Sequence, residues 1–190
     1  MSNEAAAVAA PESSETGGTK SWQTKLGMGV VVGCALLALF WPGASGPRPA
    51  PPGMLVDAGG RPVPLATRSA PVTLVHFWAT WCPPCIDEVP SIQRLEEDFD
   101  GNHNFSLIMI AVADDSEKVK TFLGNSFHNS LFDHEWKVSH SYGTRKLPET
   151  HLVVNGEIVE SFIGATNWDL PKVRKQIEAA VAQVQSEEAG

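Results

Sequence analysis

Hydrophobic positions follow three rhythms along the chain. From Leu26 to Trp41 the run LGMGVVVGCALLALFW carries no charged or strongly polar side chain. Counted from Trp22 it holds twenty residues, roughly 30 Å of helix at ~1.5 Å per residue, which suits a bilayer core. Trp stands at both ends of this span, and Lys25 can snorkel toward the head groups. Lys20 and Lys25 precede the run and only Arg48 closely follows it, which places the N-terminus in the cytoplasm and the rest outside. The run is long for a cleaved signal peptide, so an uncleaved anchor over 22–41 is expected. Residues 1–21 have neither aromatic side chains nor apolar period, and read as a disordered tail. The stretch PGASGPRPAPPG, Pro42 to Gly53, reads as a Pro/Gly linker.

Past Met54 the rhythm changes to alternating strands and helices. Met54–Asp57 and Pro62–Leu65 flank Ala58-Gly59-Gly60-Arg61 as an opening hairpin. Val72–Trp78 and Phe105–Ala113 are nearly continuous apolar runs, as expected of strands buried on both faces. Between them a helix is predicted from Pro83 to about Asp98, with Ile86, Val89, Ile92 and Leu95 on one side and a kink at Pro90. Asp114/Asp115 can cap a helix through Leu123, and His134–Tyr142 suits a short helix. Thr150–Val154 and Glu157–Phe162 flank Asn155-Gly156, a strong hairpin signal. The last helix is predicted from about Asn167 to Gln185, with Leu170, Val173, Ile177, Val181 and Val184 at helical spacing. A βαβ portion followed by a β-hairpin and helix makes 54–190 one α/β domain.

Charge narrows the range of partners. The chain has 190 residues and a net charge of −8. Residues 1–53 sum to zero (Lys20, Lys25, Arg48 against Glu4, Glu12, Glu15), so the whole excess sits in the domain and argues against nucleic acid. Three cysteines are too few for a disulfide scaffold. Cys34 lies inside the apolar run. Val31-Val32-Gly33-Cys34 loosely resembles a lipoprotein processing box, but the run stays apolar through Trp41, which favours a plain thiol in a membrane helix.

The remaining cysteines carry the chemistry, in Trp81-Cys82-Pro83-Pro84-Cys85. They fall between a buried strand and a helix, so Cys82 takes the N-cap, where the helix dipole favours a thiolate. Pro83 and Pro84 suit the first two helical positions, whose N–H groups lack intrahelical partners anyway. Cys85 then begins the helix interior as a more buried, resolving thiol, near enough to Cys82 for a reversible disulfide. Zinc would need further ligands, and His128, His134 and His140 at six-residue spacing are not a ligand pair in a helix. A haem attachment site would need His where Ile86 stands. No metal and no cofactor is expected.

Phe77–Cys85, FWATWCPPC, resembles the thioredoxin superfamily. Glu88-Val89-Pro90 is similar to the membrane-tethered TlpA/ResA/CcmG (DsbE) branch. SLFD at Ser130–Asp133, Tyr142-Gly143 and Pro148-Glu149-Thr150 are similar to that branch's cytochrome c biogenesis members. The resemblance spans roughly 54–185. It implies a thioredoxin fold, with a central mixed sheet flanked by helices and an N-terminal hairpin extension, and an extracytoplasmic protein-disulfide reductase. A membrane thiol donor of the CcdA or DsbD kind and a cis peptide at Leu147–Pro148 are implied as well. Apocytochrome c is one client it suggests. Trp81, Pro83, Pro84, Leu147, Pro148 and Glu149 are the residues expected to meet substrate. Glu88, one turn from Cys85, is a candidate base, and His76, on the strand expected to pass under Cys85, a candidate proton relay. His151, where the branch usually has an aromatic, is expected to be a partly buried packing residue. A tethered module that binds a thiol client without turnover is the alternative to an enzyme. A dithiol oxidase is disfavoured, because no His stands between the cysteines.

Overall fold

The computed structural model describes residues 46–124, 127 and 130–190. The expected tail and anchor, Cys34 and His128 lie outside them. Among the described residues, no helix is long and apolar enough to cross a membrane.

The strands are β1 (Arg48–Pro49), β2 (Met54–Val56), β3 (Pro62–Pro64), β4 (Val72–Trp78), β5 (Phe105–Val112), β6 (Ser130–Asp133), β7 (Glu149–Val154) and β8 (Glu157–Ile163). The helices are α1 (Pro83–Asp98), α2 (Ser116–Leu123), α3 (Lys137–Ser141) and α4 (Pro171–Glu188). The strands form one mixed sheet in the order β1-β8-β7-β4-β5-β6-β2-β3. Central β4 runs parallel to β5 and antiparallel to β7. This is the thioredoxin-like α/β fold expected from the chain.

All seven residues of β4 are buried, which is why its sequence is an almost unbroken apolar run. Alternate positions feed two cores. Val72, Leu74 and Trp78 pack with Val89, Ile92 and Leu95 of α1 and with Val173, Ile177 and Val181 of α4. Val75 and Phe77 pack on the opposite face with Leu55, Val138 and Tyr142.

Local chemistry fixes several boundaries. The Asp115 side chain accepts from the amides of Glu117 and Lys118, capping α2. Asn155 and Gly156 both have positive φ, 49° and 82°, as a tight two-residue hairpin turn requires. Helix α1 continues through Pro90. Helix α4 starts at Pro171, later than predicted, because proline suits a first helical position. Leu170, assigned to its apolar stripe from spacing, is half-exposed outside the helix.

The linker expected over 42–53 requires correction. By Arg48 the chain is already strand β1, paired with β8 through Arg48↔Ile158 and Pro49↔Glu157. The Ala50 amide donates to Gly156 O at 2.8 Å, and Leu65 N donates to Gly53 O at 2.9 Å. Arg48 Nη2 donates to Tyr142 O at 2.7 Å. A Cβ on Gly53 would come within 2.8 Å of a Val138 methyl, so glycine is required for the close approach. A proline-rich segment has the extended backbone of an edge strand and is tolerated on an edge. Its composition does not distinguish a free spacer from a docked strap. The packed domain therefore begins before Met54.

Candidate active site

The Cys82–Cys85 pair sits where β4 hands over to α1. Cys82 is the N-cap, with φ −104° and ψ 102°, and Pro83 and Pro84 open the helix. Cys82 O accepts from Cys85 N at 3.0 Å and Ile86 N at 3.2 Å, so the first turn is closed by the residue that bears the sulfur. The two cysteines are joined in a disulfide, their Cα atoms 5.3 Å apart. In this oxidised form Cys82 is itself nearly buried, at 5% exposure against 0% for Cys85. The Cys82 side chain makes no capping hydrogen bond. The exposed neighbour is Trp81.

Beneath α1 lies a buried polar cluster. Glu88, one turn beyond Cys85, points inward and is only 3% exposed. Its Oε1 accepts from Trp168 Nε1 at 2.5 Å, while Oε2 has no partner among the described residues. Burial lifts the Glu88 carboxyl to a pKa of about 7, against the opposing pull of the Trp168 N–H. His76, fully buried on β4, lies opposite Thr150 of β7, and its Nδ1 shares a hydrogen bond with Thr150 Oγ1 at 2.8 Å. The same nitrogen is 3.9 Å from Glu88 Oε1. Burial lowers His76 to about 3, so it is a neutral imidazole at neutral pH, where Glu88 is poised between its two forms. His76 Nε2 has no partner among the described residues. One side of the cluster reaches the surface at a cleft of about 390 Å³ lined by Glu88, Ser91, Arg94 and Thr166.

The third part of the site is the loop before β7. The Leu147–Pro148 peptide is cis, and Pro148 O accepts from Gly164 N at 2.9 Å. Glu149 pairs with Phe77 near the end of β4, so Pro148 lies beside the strand end from which the cysteine loop departs. Glu149 is nearly buried, and burial raises its carboxyl above the usual range. Its Oε1 is 3.4 Å from His151 Nε2. His151 is fully buried and engaged at both ring nitrogens, by Thr144 Oγ1 at 3.1 Å and Ser161 Oγ at 2.8 Å. Burial lowers it to about 4, and its ring packs against Phe77 and Tyr142. His134 stacks on Phe132 and His140 on Trp136. Among the described residues, no group of His, Cys, Asp or Glu is arranged to hold a metal.

The structure thus brings Glu88 and His76 together. It also adds Trp168 and Thr150, which sequence reasoning missed. Trp168 lies 80 positions from Glu88 and Thr150 74 from His76, so no local pattern links either pair.

A strand-to-helix cysteine pair, a buried carboxyl one turn on and a cis-proline before the next strand form a site that a family can share. The redoxin family model matches residues 34–177. The chain belongs to the redoxin family. This redoxin is 30% identical over 122 residues to a DsbE-homologous thiol:disulfide interchange protein of Paracoccus denitrificans, covering 59% of the chain and 65% of the relative. It is 32% identical over 104 residues to the thiol:disulfide interchange protein CycY of Rhizobium leguminosarum, covering 52% and 54%. Each alignment therefore spans less than two thirds of the relative. The thioredoxin domain of a thiol-disulfide oxidoreductase from Bacteroides vulgatus has the same fold, with TM-score 0.61 at 21% identity, over 73% of this chain and 99% of that one.

Proposed function

We propose that this redoxin is a thiol:disulfide oxidoreductase that reduces protein disulfides, tethered through residues 22–41 with its domain on the extracytoplasmic side. The observation that carries the reading is the Glu88 carboxyl, buried one turn from Cys85 with a pKa of about 7. The Cys82 thiolate attacks one sulfur of the client disulfide, forming a mixed disulfide and releasing one client thiolate. Cys85 must then lose a proton, which a buried thiol gives up reluctantly. Ionised Glu88 takes that proton, with neutral His76 beside it as a relay. The Cys85 thiolate attacks the Cys82 sulfur, closing the Cys82–Cys85 disulfide and releasing the second client thiolate. The client gains two electrons and the protein loses them.

A dithiol donor must return those electrons, and a membrane donor of the CcdA or DsbD kind suits a tethered domain. Trp81, Pro83, Pro84, Leu147, Pro148 and Glu149 are the residues proposed to meet the client. The resemblance of the Ser130–Asp133 and Pro148–Thr150 segments to cytochrome c biogenesis proteins supports the cysteine pair of an apocytochrome c as client. In the full chain, Cys85→Ser blocks resolution and traps the client on Cys82, where mass spectrometry identifies it. Insulin reduction by the parent chain supports turnover. Stoichiometric binding of a client without reduction would replace this reading with that of a tethered binding module.

A further inference from the structure

Three described non-glycine residues have positive φ, and two of them touch one side chain. Ala113 (φ 47°) accepts through its carbonyl from Trp81 Nε1 at 3.2 Å. Trp136 (φ 60°) holds its ring 6.3 Å from that of Trp81, with 43° between the planes. Trp136 in turn stacks on His140, at 5.6 Å and 28°. A large residue in the left-handed region costs free energy that glycine there does not. Trp136 gives no side-chain cap to α3 and is only half-buried, against the core that holds Val75, Phe77 and Val138. The turn therefore does not require an indole, and beyond its partial packing the indole supplies a second aromatic face beside Trp81.

We propose that Trp81 and Trp136 form the subsite for the residue flanking the client's reactive cysteine, and that this subsite takes an arginine or lysine side chain. The inference rests on the reductase reading. Trp81 immediately precedes Cys82, and a mixed disulfide holds the client cysteine's Cα about 4.4–6.8 Å from that of Cys82, so the residues flanking that cysteine lie within side-chain reach of the indole. The Trp81 ring N–H is occupied by Ala113 O. The ring thus offers its π face, which attracts cations. On the Trp81 side the nearest charged groups are carboxylates, while the exposed Arg145 and Lys146 precede the cis-proline loop. Thr80, next in the chain, is held to Asp114 through its amide at 2.5 Å and its hydroxyl at 2.8 Å, and Asp115 follows. Lys137, beside Trp136, is engaged by Glu135 at 2.6 Å. The net charge of −8 adds long-range attraction for a cationic segment.

The test uses the full chain in detergent, reduced with dithiothreitol and freed of it. Disulfide peptides identical except for Arg, Ala, Leu or Glu beside the cysteine are mixed with it, and mixed-disulfide formation is timed by stopped flow at pH 8. The Arg peptide is expected to react roughly tenfold faster than the Ala peptide, with Glu slowest and the preference smaller in 0.5 M salt (about a 4–5 Å screening length). Trp136→Gly is expected to bring the Arg-to-Ala ratio close to one; glycine suits φ 60°, which offsets part of the packing lost with the indole, and the unfolding temperature reads that loss separately. Trp136→Phe is expected to keep part of the preference and Trp136→Leu, which keeps apolar packing without a π face, to lose it. Equal rates for all peptides, a preference for Leu over Arg, or an unchanged ratio in Trp136→Gly and Trp136→Leu would overturn the subsite. Failure of every peptide to react overturns the reductase reading itself, and the subsite with it.

Discussion

Trp168 Nε1 donates to Glu88 Oε1 at 2.5 Å, joining the segment before α4 to the helix that carries both cysteines. This hydrogen bond favours the charged carboxylate, while burial favours the neutral acid and is the larger effect. The balance, about 7, lies where a base must lie to exchange protons near neutrality.

Trp168→Phe removes the donor and keeps most of the apolar volume. The Glu88 pKa then rises further, because the charged form has lost its partner. A hydrogen bond to a charged group contributes about 1.5–3 kcal/mol, equivalent to roughly one to two pH units. The ascending limb of the resolving step, where rate rises with pH, is expected to move up by about that amount, read from mixed-disulfide decay against pH. An unmoved limb would mean that the indole only fills space.

Glu88→Gln should change stability in a pH-dependent way. The folded-state pKa, about 7, lies above the ordinary 4.5, so the folded protein holds this proton more tightly than the unfolded chain. Its stabilising contribution is complete below 4.5 and is lost as pH rises toward 7. Glutamine does not ionise. The variant should therefore gain roughly 2–3 kcal/mol relative to the parent between pH 5 and pH 8. Urea unfolding at both pH values measures this, and parallel pH dependence in the two proteins would show that Glu88 is ionised as freely as a surface carboxylate.

The features legible in the sequence share one property: their cause lies within a few residues. Asp115 caps α2, Asn155-Gly156 turns the last hairpin, and Pro83-Pro84 opens α1. The continuous burial of β4 was readable because both of its faces are covered. Partners brought together only by the sheet were not readable. Thr150 meets His76 through strand register, and Trp168 meets Glu88 on the sheet face that α1 and α4 share. Strand β6 stands out in the sequence only as a resemblance to a family motif, since four residues carry too little period to declare a strand. The Arg48–Gly53 strap misled for a different reason. Free and docked proline-rich segments share one backbone conformation, and contacts with Tyr142, Gly156 and Val138 decide between them.

A chain beginning at Met54 therefore loses real contacts. It lacks the Arg48–Tyr142 and Ala50–Gly156 hydrogen bonds and the Gly53 packing on Val138. At ~0.5–1.5 kcal/mol per hydrogen bond, it should be about 2–4 kcal/mol less stable than one beginning at Gly46. Urea midpoints compare the two, and equal midpoints would return 46–53 to a passive spacer.

In the reduced protein Cys82 should be alkylated before Cys85. Cys85 is fully enclosed even in the oxidised form, whereas Cys82 retains slight exposure at the helix N-terminus. Brief iodoacetamide treatment near neutral pH followed by peptide mapping reads the order. Preferential labelling of Cys85 would exchange the two roles.

The most direct test of the account is the decay of a preformed Cys82 mixed disulfide, followed by stopped flow from pH 5 to 9 in the parent, Glu88→Gln and His76→Asn proteins. The parent should speed up as pH rises through about 7, the Glu88 pKa. Glu88→Gln should lose that inflection and resolve about tenfold more slowly, less than the ~10²–10⁴-fold a general base contributes because water partly replaces it. His76→Asn should keep the inflection and lose less rate, because His76, at about 3, stays neutral throughout this range. Resolution at the parent rate by both variants at every pH would contradict the account and leave both residues with structural roles only.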